Sequence, residues 1–239
     1  MRKIYFLLLI SLPFFNGSIN AQTRIYPVTT WEYIFNASDI ESSMDGSMET
    51  INTNMRFTAF FNWGQNWHFD FSNKVGAYTG FAFRNVGIII DDPNFNDKPG
   101  TDYSKVKRRS YNFGVPISFK FGNFDNHLFF YGGAEIELMF HYKEKYWIDG
   151  VKYKSKEWFS DKTKRWAPSV FAGVQLPGGF NIKYKYYFND FLNHSYKDSH
   201  TDFTSIGKTG MWYISVGWQF HTMKIDKIMT KEFYETSQY

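Results

Sequence analysis

The stretch Ser110-Tyr-Asn-Phe-Gly-Val-Pro-Ile-Ser-Phe-Lys-Phe121 has a large apolar side chain at every odd position and a polar or small residue at every even position. Successive side chains of a β-strand point to opposite faces, so this period of two predicts a strand with one apolar and one polar face. Strands of soluble proteins usually span about 5 or 6 residues. A run of this length is typical of a strand that crosses a membrane.

Seven further runs alternate in the same way, and they begin near Trp31, Met55, Val75, Leu128, Trp166, Phe180 and Trp212. The run from Val75 to Ile89 is irregular because Gly80 and Arg84 fall among its apolar positions, and we expect a β-bulge to repair the phase. An even number of strands can pair in a ring without an exposed edge. The sequence therefore predicts an all-β fold, an eight-stranded antiparallel up-and-down transmembrane β-barrel.

The connections between these runs alternate between long and short. The long ones cover residues 37–53, 91–108, 143–165 and 190–208, and the short ones cover 122–126 and 177–179. The connection 62–74 is longer than the other short ones, and its Trp-His-Phe-Asp-Phe segment suggests strand extension. Long extracellular loops and short periplasmic turns give outer-membrane barrels this arrangement.

The N-terminus has the features of an export signal. Met1-Arg2-Lys3 is basic, residues 4–15 are mainly apolar, and Ser18-Ile-Asn-Ala21 offers a cleavage site. The apolar run is shorter than the ~20 residues that a membrane-spanning helix needs. We predict a signal peptide over 1–21, the barrel over 22–220, and a polar periplasmic C-terminal tail over 221–239. The tail is expected to be a disordered or short helical extension, with a docking segment as the alternative.

Alternation alone does not tell a membrane barrel from a soluble one that is apolar inside. Large rings lie at the ends of the apolar faces, as in an interfacial girdle: Trp31, Tyr142, Trp166, Trp212 and Trp218. Aromatic residues make up 22% of the chain, which also favours the membrane barrel. The chain has no cysteine, which excludes disulfides, thiol chemistry and a lipid-anchored leader. A net charge of +4 gives no reason to expect nucleic-acid binding.

Charged residues on the polar faces are the main candidate site: Glu32, Arg56, Arg84, Lys120, Glu135, Glu137, Lys183 and Lys185. The interior of an eight-stranded barrel is just wide enough for side chains, and buried charges are costly unless they pair. We therefore expect a salt-bridge network that fills the interior, with an excess of two positive charges. The alternative is a narrow, weakly anion-preferring pore lined by Lys183 and Lys185.

Several stretches resemble a known family: Gly80-Phe-Ala-Phe-Arg-Asn-Val-Gly87, Lys107-Arg-Arg-Ser-Tyr-Asn-Phe-Gly-Val-Pro116, Phe140-His-Tyr-Lys-Glu-Lys-Tyr146 and Trp158-Phe-Ser-Asp161. They resemble the PorT-like outer-membrane β-barrel family of Bacteroidetes, over nearly all of the chain after the leader. The resemblance implies a bacterial outer-membrane location, with membrane lipid and the insertion machinery as partners. Some relatives assist type IX secretion. The last predicted strand ends at Phe220 rather than at the C-terminus, where outer-membrane strands usually place an aromatic residue.

These features predict a non-enzymatic scaffold that presents extracellular loops, acting in surface binding or as an accessory of type IX secretion. A periplasmic or surface protein is an expected partner, and no cofactor is expected. A cluster of aromatic residues makes the segment 143–165 the expected contact surface: Tyr146, Trp147, Trp158 and Phe159. A narrow diffusion channel is the alternative function.

A lipid A-modifying enzyme is a third hypothesis. Asp198-Ser199-His200 has the residue types of a hydrolytic triad, but triads assemble across a fold rather than from neighbours in sequence. His141 lies near Glu137 in sequence, and ion pairing is the simpler expectation for it. Asp91, Asp92, Asn94 and Asp97 have oxygen ligands suitable for Ca²⁺, although an acidic loop is more often only solvated. We predict no metal site.

Overall fold

The computed structural model describes residues 23–44, 47–93, 95, 97–98, 103, 105–148 and 150–221. The predicted signal peptide and nearly all of the predicted C-terminal tail lie outside the described residues. Within them, no helix has both the length and the apolar character needed to cross a membrane.

The described chain folds as one antiparallel sheet. Its strands are β1 (Arg24–Met44), β2 (Ser47–Ile51), β3 (Arg56–Thr58), β4 (Trp63–Asp70), β5 (Val75–Ile90), β6 (Lys105–Asn123), β7 (Leu128–Ile148), β8 (Val151–Trp158), β9 (Trp166–Gln175), β10 (Phe180–Tyr187) and β11 (Ile206–His221). Pairing runs through β1, β4, β5, β6, β7, β9, β10 and β11, and β11 pairs with β1. The predicted all-β, antiparallel, up-and-down arrangement is confirmed, with about eight strands bonded in a ring.

The second strand of the ring lies further along the chain than the alternation around residues 55–61 predicts. β3 has only three residues, and the ring strand β4 occupies most of the predicted connection 62–74, which confirms the strand extension expected there. Between them the chain turns outward at Phe61, whose φ is 61°. Asn62 holds this break, because its side chain donates to Thr58 O at 3.1 Å and accepts from the Asn85 amide at 2.8 Å.

Two of the predicted long loops are largely strand. β1 continues to Met44 and turns back into β2, so most of 37–53 is a hairpin. β7 likewise continues to Ile148 and pairs with β8 inside the predicted loop 143–165. These extensions stand on the rim opposite the three short connections, which follow β4, β6 and β9.

β5 contains no bulge, which corrects the prediction for its irregular run. Its register with β4 and β6 is continuous, and Tyr78, Ala82 and Arg84 all face the interior. Phe81 and Phe83 lie on the outward face. In the sequence, Arg84 shares its face with apolar residues because most of the inward side chains of β5 are themselves apolar.

A β-bulge occurs instead in β7. Tyr111 of β6 pairs with His141, whereas the next residue, Asn112, pairs with Met139, so Phe140 is the extra residue. The bulge reverses the faces beyond it. Tyr142 is therefore buried in the interior at 1% exposure, and its predicted place in the interfacial girdle is wrong. His141 faces outward and stacks on Trp158 with ring centroids 4.1 Å apart, so the expected ion pair with Glu137 is also wrong.

An apolar belt covers the outer wall of the ring. Its large exposed side chains include Trp31, Phe35, Trp67, Val115, Ile117, Phe119, Phe121, Phe130, Ile136, Trp166, Val170, Ile182, Tyr184, Phe188, Ile214, Trp218 and Phe220. On β6 the outward positions from Tyr111 to Phe121 carry no charge. That stretch spans ~33 Å of strand, or about 25 Å at the ~40° tilt usual in barrels, which equals the apolar height of outer-membrane barrels.

Candidate functional site

Six charged side chains meet in the middle of the interior: Glu32, Arg84, Glu135, Glu137, Lys183 and Lys185. They project from β1, β5, β7 and β10, because each occupies an inward position of its strand, and all six are buried. Lys183 Nζ lies 2.5 Å from Glu32 Oε1, and Arg84 Nη2 lies 3.6 Å from the same oxygen. Arg84 also pairs with Glu135, and Lys185 Nζ lies 2.8 Å from Glu135 Oε2. We call this group the central network.

Glu137 is the most highly bonded member of the central network. Its carboxylate pairs with Lys185 and lies 3.4 Å from Arg84 Nη1. It accepts a hydrogen bond from Asn112 Nδ2 at 2.7 Å and from the Tyr187 hydroxyl at 3.0 Å. The three acids and three bases balance, so the central network has no net charge. Buried charges are tolerated when they are paired and hydrogen-bonded in this way.

The interior around the central network is filled. The cavity beside Glu32, Arg84, Glu135 and Lys183 has a volume of about 20 Å³, which is room for about one water molecule. Toward the short turns, an aromatic layer follows, formed by Tyr78, Phe124, Phe129, Tyr131 and Phe171. On the other side of the central network, toward the long connections, lies a larger buried cluster, which we call the upper interior cluster. It is formed by Ile34, Val86, Ile88, Met139, Tyr142, Tyr187, Phe191, Phe203, Tyr213 and their neighbours.

Lys120 lies apart from the central network, near the short turns. Its ammonium is 2.5 Å from Asp70 Oδ1, 2.8 Å from the Tyr26 hydroxyl and 3.0 Å from His68 Nδ1. Asp70 lies on β4, in the segment predicted as a connection, so alternation predicts no partner for Lys120. This pairing removes one of the two excess positive charges that were predicted for the interior.

Arg56 is also separate. Its guanidinium donates to the backbone oxygen of Asn85 at 2.9 Å and to the Asn85 side chain at 2.6 Å. It therefore ties the short strand β3 to β5 where β4 breaks away, rather than joining the central network.

A further ion-pair cluster, which the sequence pattern does not predict, lies at the rim of the long connections. Arg108 is fully buried, pairs with Asp97, and lies 2.9 Å from Glu144 Oε2. Lys98 Nζ lies 2.7 Å from Glu144 Oε1. Burial raises the pKa of Glu144, but Arg108 and Lys98 outweigh it and lower the pKa to about 2. This rim cluster fastens the connection between β5 and β6 across the top of the interior.

The four predicted contact aromatics do not form one surface. Tyr146 faces inward, packs on the upper interior cluster and stacks on Tyr153 at 5.4 Å. Trp147 lies on the outer wall with the Lys107 ammonium 5.5 Å from its ring. Trp158 and Phe159 are 65% and 54% exposed, and Trp158 continues the apolar belt through its stack on His141.

The residues considered for catalysis and metal binding are engaged locally. Asp198 accepts from the Tyr196 hydroxyl and from the amides of His200 and Thr201, both at 2.7 Å, so it shapes its own turn. Asp97 pairs with Arg108, and Asp91 pairs with Lys105. Within the described ranges, no group of three or more His, Asp or Glu side chains is placed to hold a metal ion.

No protein-family model and no curated protein sequence matches this chain. The resemblance to the PorT-like family therefore stays a prediction. Among solved structures, the chain is similar to Ail, the attachment invasion locus protein of Yersinia pestis, at 15% identity over 80% of this chain and 98% of that one, with a TM-score of 0.32. It is also similar to Neisserial surface protein A, at 12% identity over 82% of this chain and 97% of that one, with a TM-score of 0.35. A third similar structure is the N-terminal β-barrel domain of Pseudomonas aeruginosa OprF, at 10% identity over 82% of this chain and 98% of that one, with a TM-score of 0.32.

Proposed function

We propose that this chain is a non-enzymatic β-barrel of the bacterial outer membrane, and that it acts as a scaffold presenting its long connections at the cell surface. The observation that carries the proposal is the division of its two faces. The outer wall exposes a belt of large apolar side chains, while charged residues are buried and paired inside. In water, an apolar outer wall around a charged interior would be unfavourable, whereas a lipid bilayer favours this distribution of apolar and charged side chains.

The filled interior supports a scaffold over a diffusion channel. A conducting path needs a continuous column of water, and the cavity at the central network has room for about one molecule. Lys183 and Lys185, which would line an anion pore, are bound to carboxylates. The ion pairs instead join β1, β5, β7 and β10 across the interior, which makes the platform under the long connections rigid.

The organisation of the rim supports a role in display. The hairpin β1–β2 and the hairpin β7–β8 extend the ring beyond the apolar belt, and the rim cluster holds the connection between β5 and β6 in place. A preorganised surface binds a protein partner at a lower entropic cost than flexible loops do. The resemblance to the PorT-like family suggests that the partner is a surface protein or a component of type IX secretion. An N-terminal signal peptide would provide export.

The full chain, purified and folded into detergent micelles, provides the test. We expect a β-rich far-UV circular dichroism spectrum, faster gel migration before boiling than after, and no single-channel conductance in planar bilayers. Lys183→Glu is expected to leave the conductance at zero. Stable folding in buffer without detergent would overturn the membrane location, and steady unitary currents that change with Lys183→Glu would overturn the filled scaffold.

A further inference from the structure

Seven basic side chains share the outward face of three neighbouring strands. They are Lys107 and Arg109 on β6, Lys143 and Lys145 on β7, and Lys152, Lys154 and Lys156 on β8, and we call them the basic wall. The strand register sets Lys107, Lys145 and Lys154 side by side in one row. It sets Arg109, Lys143 and Lys156 side by side in the next row.

Like charges directly opposite one another destabilise a sheet. Among the residues that the structure describes, no ion pair joins the basic wall to a carboxylate, whereas the adjacent Lys105 pairs with Asp91. Burial, followed by the charges of Arg109, Lys152, Lys154 and Lys107, lowers the pKa of Lys145. The Tyr111 ring gives only partial compensation, with Lys143 Nζ 4.8 Å and the Arg109 guanidinium carbon 5.6 Å from its centroid. A bound anion from outside the protein would reduce this repulsion between the basic side chains.

The basic wall begins where the apolar belt ends. The row below it consists of Tyr111, His141 and Trp158, which are aligned on the same face. Below that row the outward side chains of β6 are Phe113, Val115, Ile117, Phe119 and Phe121. The wall therefore stands at headgroup height on the rim away from the short turns, which is the outer leaflet in the proposed orientation.

Two clefts beside the basic wall adjoin each other and share three lining residues. The upper cleft has a volume of about 560 Å³ and joins four basic wall residues and Arg56 to the exposed rings of Phe57, Phe60 and Phe61. The lower cleft, about 400 Å³, is lined by Trp63, Phe83 and Phe140 and shares Phe61, Tyr111 and Lys143 with the upper one. Basic side chains thus lie above a mainly apolar groove. This arrangement matches a lipid whose phosphorylated headgroup lies above its acyl chains.

We propose that the basic wall binds the phosphate groups of outer-leaflet lipids, with an acyl chain of the bound lipid in the lower cleft. The inference rests on the proposed membrane location and adds a specific lipid site to it. Arg109, Lys143 and Lys145 bind the phosphate, because all three line the upper cleft and Lys143 also lines the lower one. Phe61, Trp63 and Phe83 contact the chain. A lipid phosphate would offset the repulsion within the two basic rows.

Native mass spectrometry of the folded full chain in detergent micelles tests the site. The probes are a glycolipid with two phosphomonoesters and the same glycolipid after enzymatic dephosphorylation, with identical acyl chains. The variant is Arg109→Gln/Lys143→Gln/Lys145→Gln. The control Lys164→Gln/Arg165→Gln/Lys197→Gln removes the same number of charges from the same rim, outside the basic wall.

The wild type and the control are expected to prefer the phosphorylated lipid, and the wall variant to bind it roughly 100-fold more weakly. Equal binding of both lipids by the wild type, or equal affinity of wild type and wall variant, would overturn the proposal. Displacement of the lipid by equimolar inorganic phosphate would overturn the assignment to a lipid. Heat-dependent gel mobility of each variant reports membrane-barrel folding separately, so a failure of the proposed location is distinguishable from a failure of the lipid site.

Discussion

Lys183 on β10 and Glu32 on β1 face each other across β11, with 2.5 Å between Nζ and Oε1. Both strands pair with β11, so this ion pair spans the seam where the end of the ring meets its beginning. Both side chains are buried, and removal of either leaves the otherwise neutral central network with one uncompensated charge in a medium of low polarity.

Lys183→Met is therefore expected to lower the free energy of unfolding by about 3–5 kcal/mol. Adding Glu32→Gln restores the charge balance of the central network and should recover part of that loss. Urea unfolding in detergent, followed by tryptophan fluorescence, measures both. The matched control is Lys208→Met, whose partner Glu41 lies 3.4 Å away with both side chains over 40% exposed, and which should cost under about 1 kcal/mol. Equal losses at the two positions would contradict a structural role for the central network.

Two glycines on adjacent strands are expected to differ sharply in their tolerance of alanine. A Cβ on Gly114 would overlap Glu135 Oε1, inside the central network, whereas a Cβ on Gly132 would meet nothing nearer than 3.4 Å. Gly114→Ala should destabilise the protein by about 1–3 kcal/mol through overpacking, and Gly132→Ala should change stability by less than about 0.5 kcal/mol. Thermal midpoints of the heat-modifiable band give the comparison. Similar midpoints would show that the interior has spare room.

The rim cluster should weaken in acid. The pKa of Glu144 is lowered to about 2 in the folded state by Arg108 and Lys98, so its contribution to stability is complete above the usual glutamate pKa. It is lost as the pH falls from about 4.5 toward 2. We expect the thermal midpoint to fall through this window more steeply in the wild type than in Glu144→Gln. Parallel pH profiles would exclude Glu144 as the titrating group.

Tryptophan fluorescence in vesicles with brominated acyl chains should separate the belt from the rim. Trp166 lies opposite Leu138 within the apolar belt and is 55% exposed, whereas Trp147 lies beside Lys105 above it. Trp166→Phe should lower the quenched fraction of the emission, and Trp147→Phe should raise it slightly by removing an unquenched fluorophore. Quenching of Trp147 but not of Trp166 would contradict the assignment of the apolar belt as the membrane-spanning part of the wall.

Alternation in the sequence located the strands well where one face was plainly polar. β6 and β10 match their predicted faces residue by residue, because Lys120, Lys183 and Lys185 mark the polar, inward face and the opposite face is continuously apolar. For β5, alternation predicts that the apolar set Tyr78, Ala82, Val86 and Ile88 faces outward, but these residues are buried in the interior. Much of the interior beside β5 is apolar, so the two faces of the strand have similar composition. The Phe140 bulge was missed because alternation continues through it, and only the register with β6 reveals the shift.

The candidate site was only partly predictable for a related reason. Six of the eight predicted interior charges meet in the central network. Alternation predicts no partner for Lys120, because it indicates strand extension within 62–74 without assigning Asp70 to a face. The rim cluster was missed since Arg108 and Glu144 lie in stretches where both faces are polar. Above the belt, water solvates the outer face, so period-two hydrophobicity disappears although the strands continue.

The pairing of Trp31 with Trp218 has a consequence for how the molecule forms. These residues lie near opposite ends of the described chain, so their contact has a high loop-closure cost and is expected to form late. Until β11 arrives, β1 and β10 present unpaired backbone edges that invite pairing with other chains. If the proposed membrane location is correct, folding therefore depends on keeping a newly made chain from aggregating until its last strand is available.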